Sequence, residues 1–215
     1  MFVDVADNAK GISTALRARF DGSKIVNRTL DRVIDHALLK DRVDLEQDRM
    51  TRNSVNLIGA KHVADLTKAI AVGVSGRLSK RRETELADEA VVEAVHGFLD
   101  TVSTAFADLA AVADGTRTPP DLRATSLLGS VGMLRALAGT YRALREKEVV
   151  DDDIAAFFAT LDPHMTAPVT ETGVWRRTDA HRDFEPNASA PIMRTQNLQH
   201  LVSVITSWYP SAPQD

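Results

Sequence analysis

The chain has 215 residues, 44% of them hydrophobic and 26% charged, which is enough apolar material for a substantial core and excludes a disordered polymer. It contains no cysteine, which excludes disulfides, a thiolate nucleophile and cysteine-based zinc or iron–sulfur centres. No apolar run approaches the ~20 residues of a membrane helix and no secretory leader pattern is read, so a cytoplasmic location without membrane partners is expected.

The net charge of −4 conceals an uneven distribution. Positions 1–82 carry 16 Lys/Arg against 10 Asp/Glu, positions 83–172 carry 6 against 16, and the remainder balances at 4 against 4. A basic first segment suits a polyanionic partner; the competing explanation is a run of solvated helix faces whose signs fluctuate. Three segments are expected, folded as one compact domain: a basic helical part over 1–82, an acidic bundle over 83–161, and a proline-containing loop with a last helix over 162–215. Aromatic residues make up only 5%, so the core should be built from Leu, Val, Ile and Ala.

Phe2–Val5 reads as a short strand, which Asp7-Asn8 end while capping a helix that runs to about Arg19. Phe20-Asp21-Gly22-Ser23 makes a turn. Ser23 caps a second helix, in which Ile25, Val26, Leu30, Val33, Ile34 and Leu38 recur at helical spacing. His36 borders that face and has no second ligand at helical spacing, so it reads as a core-edge histidine. From Leu39 to Asn56 the chain is polar. Asp44, Glu46 and Asp48 imitate the opening of a calcium loop, but Arg49 stands where that loop needs glycine and Val55 where it needs glutamate. A surface connection with paired charges is the better reading.

Gly59–Val74 reads as a third helix, with Val63, Ala64, Leu66, Ala69 and Ile70 available for packing. His62 and Asp65 supply two ligands at most. Gly73, Ser75 and Gly76 then loosen the chain before Arg77-Leu78-Ser79-Lys80-Arg81-Arg82, four cations in six residues. Those cations suit either a solvated helix end or a loop that follows a phosphate backbone.

Glu83–Asp114 reads as the longest helix, its early carboxylates complementing the dipole and Gly115 closing it. Pro119-Pro120 opens the next segment. Thr125 or Ser126 restarts a helix to about Lys147, expected to pair antiparallel with the preceding one, and Gly129, Gly132 and Gly139 admit a close neighbour. Asp151-Asp152-Asp153 suits a helix start better than a metal cluster. The stretch from Asp162 to Pro191 reads as an ordered loop anchored by Val174-Trp175. Trp175-Arg176-Arg177 offers a stacking ring with two guanidiniums, against the alternative of Trp175 as a buried plug. His181, Arg182 and Asp183 have no nucleophile beside them. A last helix spans Thr195–Trp208, and the tail to Asp215 is expected to fray.

Five stretches carry a resemblance: Phe2–Arg28, Arg42–Arg49, Arg52–Leu57, Gly59–Asp65 and Ala71–Arg77. Together they resemble the DndB-type proteins, associated with sulfur in the DNA backbone, and the wider DGQHR group. The naming Asp-Gly-Gln-His-Arg motif is absent, since Gln199-His200 continues into Leu201. Proteins of this type begin with an α/β domain resembling ParB and sulfiredoxin, which holds that motif. The resemblance therefore implies the helical C-terminal part alone, by truncation, split gene or late start codon, with Met1–Val5 a strand left over from the missing domain. The fold expected is mainly α, a bundle of about six or seven helices.

By the same resemblance the protein is expected to bind DNA as a regulatory or accessory protein of phosphorothioation, acting on transcription of the modification genes. Phosphate contacts fall first to Arg77, Lys80, Arg81 and Arg82, then to Arg17, Arg19, Lys24 and Arg28, with Arg176 and Arg177 as a further pair. No catalytic residue, metal or cofactor is assigned, and the nucleotide hydrolysis linked to the group would reside in the absent domain. Other modification proteins, or a second copy, are the expected protein partners. The alternative is a non-catalytic module that docks to a separately encoded DGQHR domain.

Overall fold

The computed structural model describes residues 24–213. The expected strand at Phe2–Val5, the helix after it, and Arg17 and Arg19 lie outside the described residues.

Helices dominate what is described, as the mainly α expectation required. The expected second helix is divided into α1 (Ile25–Arg28) and α2 (Leu30–Ile34). The junction is Thr29, a buried β-branched residue whose hydroxyl donates back to the Ile25 carbonyl at 2.7 Å. Beyond α2 the chain turns through Asp41, which adopts a left-handed φ of 59°. It then makes β1 (Val43–Asp44), which pairs parallel with β2 (Ile58–Gly59) in a register of Val43 opposite Ile58. This two-residue ladder closes the base of the polar 45–57 excursion. Gly59 has no side chain because the Gln47 carbonyl would lie 2.6 Å from its Cβ.

α3 (Ala60–Val72) follows directly and buries Val63, Leu66, Ala69 and Ile70. It packs on α1, α2, and two later helices, α5 (Asp88–Ala105) and α8 (Val131–Arg145), and is the hub of the fold. Between α3 and α5 lies α4 (Lys80–Glu85), a correction to the loop expected there: Ser79 caps it by accepting the Arg82 amide. Glu83 and Glu85 therefore belong to α4 and not to the start of the long helix. That long helix is itself interrupted. Phe106 is extended (φ −117°, ψ 109°) between α5 and α6 (Ala107–Asp114), and Gly115 ends α6 in the left-handed conformation that a C-terminal cap requires.

Thr118 caps α7 (Pro119–Thr125), a 3₁₀ turn spans Leu127–Gly129, and Ser130 caps α8. The antiparallel pairing expected between the long helix and α8 is not the main contact of either. α5 packs chiefly on α9 (Asp151–Leu161) and α8 on α3 and α11 (Thr195–Trp208). α5 and α8 meet where Phe98 abuts Tyr141 edge-on at 5.7 Å. Gly139 of α8 accommodates Val74 and Val202, whose methyl carbons would lie 2.8 and 2.6 Å from its Cβ.

Between α9 and α11 the chain is ordered by short turns and α10 (Val174–Arg177). Trp175 is buried there, 5.4 Å from Phe184 and 5.5 Å from Trp208. The described residues contain eleven α-helices where about six or seven were expected. Most of the surplus comes from breaks that neither proline nor glycine marks. Up to residue 213 the tail is more ordered than expected: Ala212 is buried and its amide donates to the Thr160 hydroxyl at 2.9 Å.

Candidate nucleic-acid interface

α4 buries none of its side chains, so every residue from Lys80 to Glu85 is at least partly open to solvent. Its cations are partly compensated. Arg81 reaches Glu85 at 3.0 Å and Arg82 reaches the same carboxylate at 3.3 Å, one turn along the helix. Arg28, at the end of α1, puts its Nε 2.8 and 2.9 Å from the two oxygens of Asp88 in the first turn of α5. Arg32 of α2 adds a contact to Glu89 at 3.1 Å. The amide of Glu89 itself, followed by Arg32, holds the Glu89 carboxyl below the usual carboxylate range.

The structure thus brings two parts of the sequence to one ridge. Arg28 and Lys80 line a shared open depression with Glu83, Thr84 and Leu86. Lys24, Arg77 and Lys80 are exposed and make no ion pair among the described residues. Exposed pairs of the Arg81–Glu85 kind contribute roughly 0–1 kcal/mol, so a phosphate arriving at the ridge can exchange for the carboxylate at small cost. The arrangement suits contacts to a nucleic-acid backbone, which need charge and adaptable geometry more than a shaped pocket.

The second candidate is taken apart by packing. Trp175 is a buried plug, as the competing explanation had it, and its indole N–H donates to the His164 carbonyl. Arg176 is spent on the carbonyls of His181 and Phe184, at 3.0 and 2.8 Å, while Arg177 remains exposed.

Three polar clusters lie elsewhere. His36 contacts Asp100 at 2.9 Å and sits 5.2 Å from the ring of His96, at the edge of the core as expected. Tyr141 donates to Asp151 at 2.9 Å; burial first, and then that carboxylate, push its phenol well above the usual range. Asp183 is fully buried and lies 2.6 Å from Nδ1 of His200, with Asn197 donating to its other oxygen at 3.1 Å. Sequence reasoning missed His200 as the partner of Asp183, because 17 residues of irregular chain and helix separate them. The Asp44 carboxylate accepts from the Glu46 and Gln47 amides and from the Asn56 side chain. Burial opposes its ionisation, but the amides of Gln47 and Glu46 and the side chain of Asn56 hold its carboxyl below the ordinary value.

Among the described residues no helix is long and apolar enough to cross a membrane. Comparison with curated proteins and with solved structures gave no match. A family model described as "DndB: DNA-sulfur modification-associated" matches residues 1–162, three quarters of the chain and all of the ridge, and the chain belongs to that family.

Proposed function

We propose that the protein binds DNA as a regulatory or accessory component of a DNA phosphorothioation system, a cytoplasmic regulator of the modification genes. The observation that supports this reading is the meeting of Arg28 and Lys80 at one open depression beside a helix that buries none of its side chains and carries Lys80, Arg81 and Arg82, with Lys24 and Arg77 taken as further contacts. Family membership supplies the DNA context, and the charge supplies the means of attachment. Binding of this kind is strongly salt-dependent, because each neutralised phosphate releases counterions. Titration of a duplex from its own promoter region across salt concentrations tests it. Replacing Lys80, Arg81 and Arg82 with Ala should weaken binding and lower the slope of log K against log salt by roughly 2–3. Equal slopes for the two proteins would remove the ridge as the contact.

A second reading is favoured by an open depression beside α2, floored by Ile34, Leu39, Val43 and Leu45 and rimmed by charges of both signs. An apolar floor with a mixed rim suits a protein surface, such as a separately encoded DGQHR domain. Co-purification of the two polypeptides without DNA, abolished by Leu45→Asp, would favour docking.

A further inference from the structure

The polar excursion between β1 and β2 is built more firmly than a surface connection requires. Asp44 anchors its start through the Glu46 and Gln47 amides and its end through Asn56. Arg123 of α7 enters from behind and donates to three consecutive-but-one carbonyls, those of Arg52, Ser54 and Asn56. Ser54 closes an inner turn, its amide donating to the Thr51 carbonyl at 3.1 Å. What this frame holds outward is Arg49, Thr51, Arg52, Asn53 and Val55, all exposed, with Val55 at 76%.

The charge of this tip has one sign. No carboxylate lies between Arg49 and Asn56, and Arg49 and Arg52 have no ion pair among the described residues. Arg123 adds a third guanidinium whose partners are all carbonyls, so its charge is not cancelled within the loop. A single exposed valine is ordinary on any surface. Here it stands on a hydrogen-bonded loop that also exposes Arg49 and Arg52, and proteins that enter the minor groove combine cationic side chains with an inserted apolar one. The loop is neither a helix nor a two-stranded ribbon, the elements that need the wide major groove.

We propose that the Arg49–Asn56 loop is a second DNA contact that enters the minor groove of a duplex, Arg49 and Arg52 reaching into the groove and Val55 lying against its sugar-lined wall. This rests on the DNA-binding reading above and adds sequence preference to it, because a narrow A·T-rich groove concentrates negative potential.

The test uses the full chain and three duplexes of equal length, A·T-rich, mixed and G·C-rich, read by fluorescence anisotropy with netropsin as a minor-groove competitor. The wild type should favour the A·T-rich duplex and be displaced from it by netropsin. R49A/R52A should lose roughly 10-fold in affinity for that duplex, with the preference gone and far-UV circular dichroism unchanged. V55S should show a smaller loss of the same kind. K80A/R81A/R82A should weaken binding to all three duplexes alike. If R49A/R52A binds each duplex as the wild type does while K80A/R81A/R82A is weakened, the loop inference falls and the DNA-binding reading stands. Uniform loss in R49A/R52A without netropsin competition removes the minor-groove placement. Absence of wild-type binding to every duplex at low salt removes the DNA-binding reading itself.

Discussion

Arg28 and Asp88 stand 60 residues apart in sequence, yet Nε of the first lies within 2.9 Å of both carboxylate oxygens of the second. The pair joins the basic ridge to the dipole-favoured first turn of α5, so the same carboxylate that steadies α5 also mutes the ridge. Asp88→Asn should therefore raise duplex affinity several-fold at low salt, and the gain should vanish at high salt, where exposed charges are screened. Its cost in stability should stay near 1 kcal/mol or below, since both side chains are about a third exposed. An unchanged affinity at low ionic strength would mean that Arg28 takes no part in binding.

Arg123 supports a whole segment with one side chain. Arg123→Ala removes its bonds to the carbonyls of Arg52, Ser54 and Asn56, a change expected to cost about 1.5–3 kcal/mol in urea denaturation. Hydrogen exchange should accelerate selectively over 49–57. Arg123→Lys should recover little, because an ammonium cannot reach three carbonyls with fixed fork geometry. Exchange that rises uniformly across the protein would instead indicate a global role.

Where the sequence marks an element strongly, structure and expectation coincide. Asp151-Asp152-Asp153 followed by Ile154, Phe157 and Phe158 reads as a dipole-complemented helix with one apolar face, and α9 is that helix. α11 likewise keeps its expected bounds, set by Leu198, Leu201 and Ile205. The breaks were illegible because packing makes them. Phe106 is a good continuation of an apolar stripe, but its ring is drawn into the core 6.1 Å from Phe158, and the chain turns extended to place it there. Cations could be counted along the chain, but not all of their partners could: Arg81 and Arg82 meet Glu85 within one helical turn, whereas Asp88 and the carbonyls held by Arg123 lie 60 to 71 residues from their arginines, beyond any local spacing rule.

Gly139 illustrates the opposite case, a small residue whose purpose was readable from its helix. Its absent side chain lets α11 and the end of α3 approach α8, with Val202 and Val74 filling the gap. Gly139→Val should destabilise by about 1–3 kcal/mol despite the poor helix propensity of glycine, because branched neighbours on two elements cannot both retreat. A companion Val202→Ala substitution should restore part of the loss. If the double variant is no more stable than Gly139→Val alone, crowding at this point is not the cause.

Asp65 gives the protein a pH dependence of defined sign. Burial opposes its ionisation, but His62 at 3.6 Å, Arg135 at 3.9 Å and the charge of Lys61 outweigh that and hold its carboxyl below the ordinary value. A carboxyl whose pKa is lower folded than unfolded contributes stability above about pH 4, and that contribution is lost as the pH falls through the folded value. Asp65→Asn cannot supply it at any pH. The variant should therefore be less stable than the wild type at neutral pH, by about 1 kcal/mol or less given partial solvent screening. The gap should begin to close as the pH falls below about 4 and vanish below the lower folded value, where the wild-type carboxyl is neutral too. Urea midpoints measured from pH 2 to 7 decide it, since a gap that widens toward acid would show that Asp65 is destabilised by its surroundings instead of held by them.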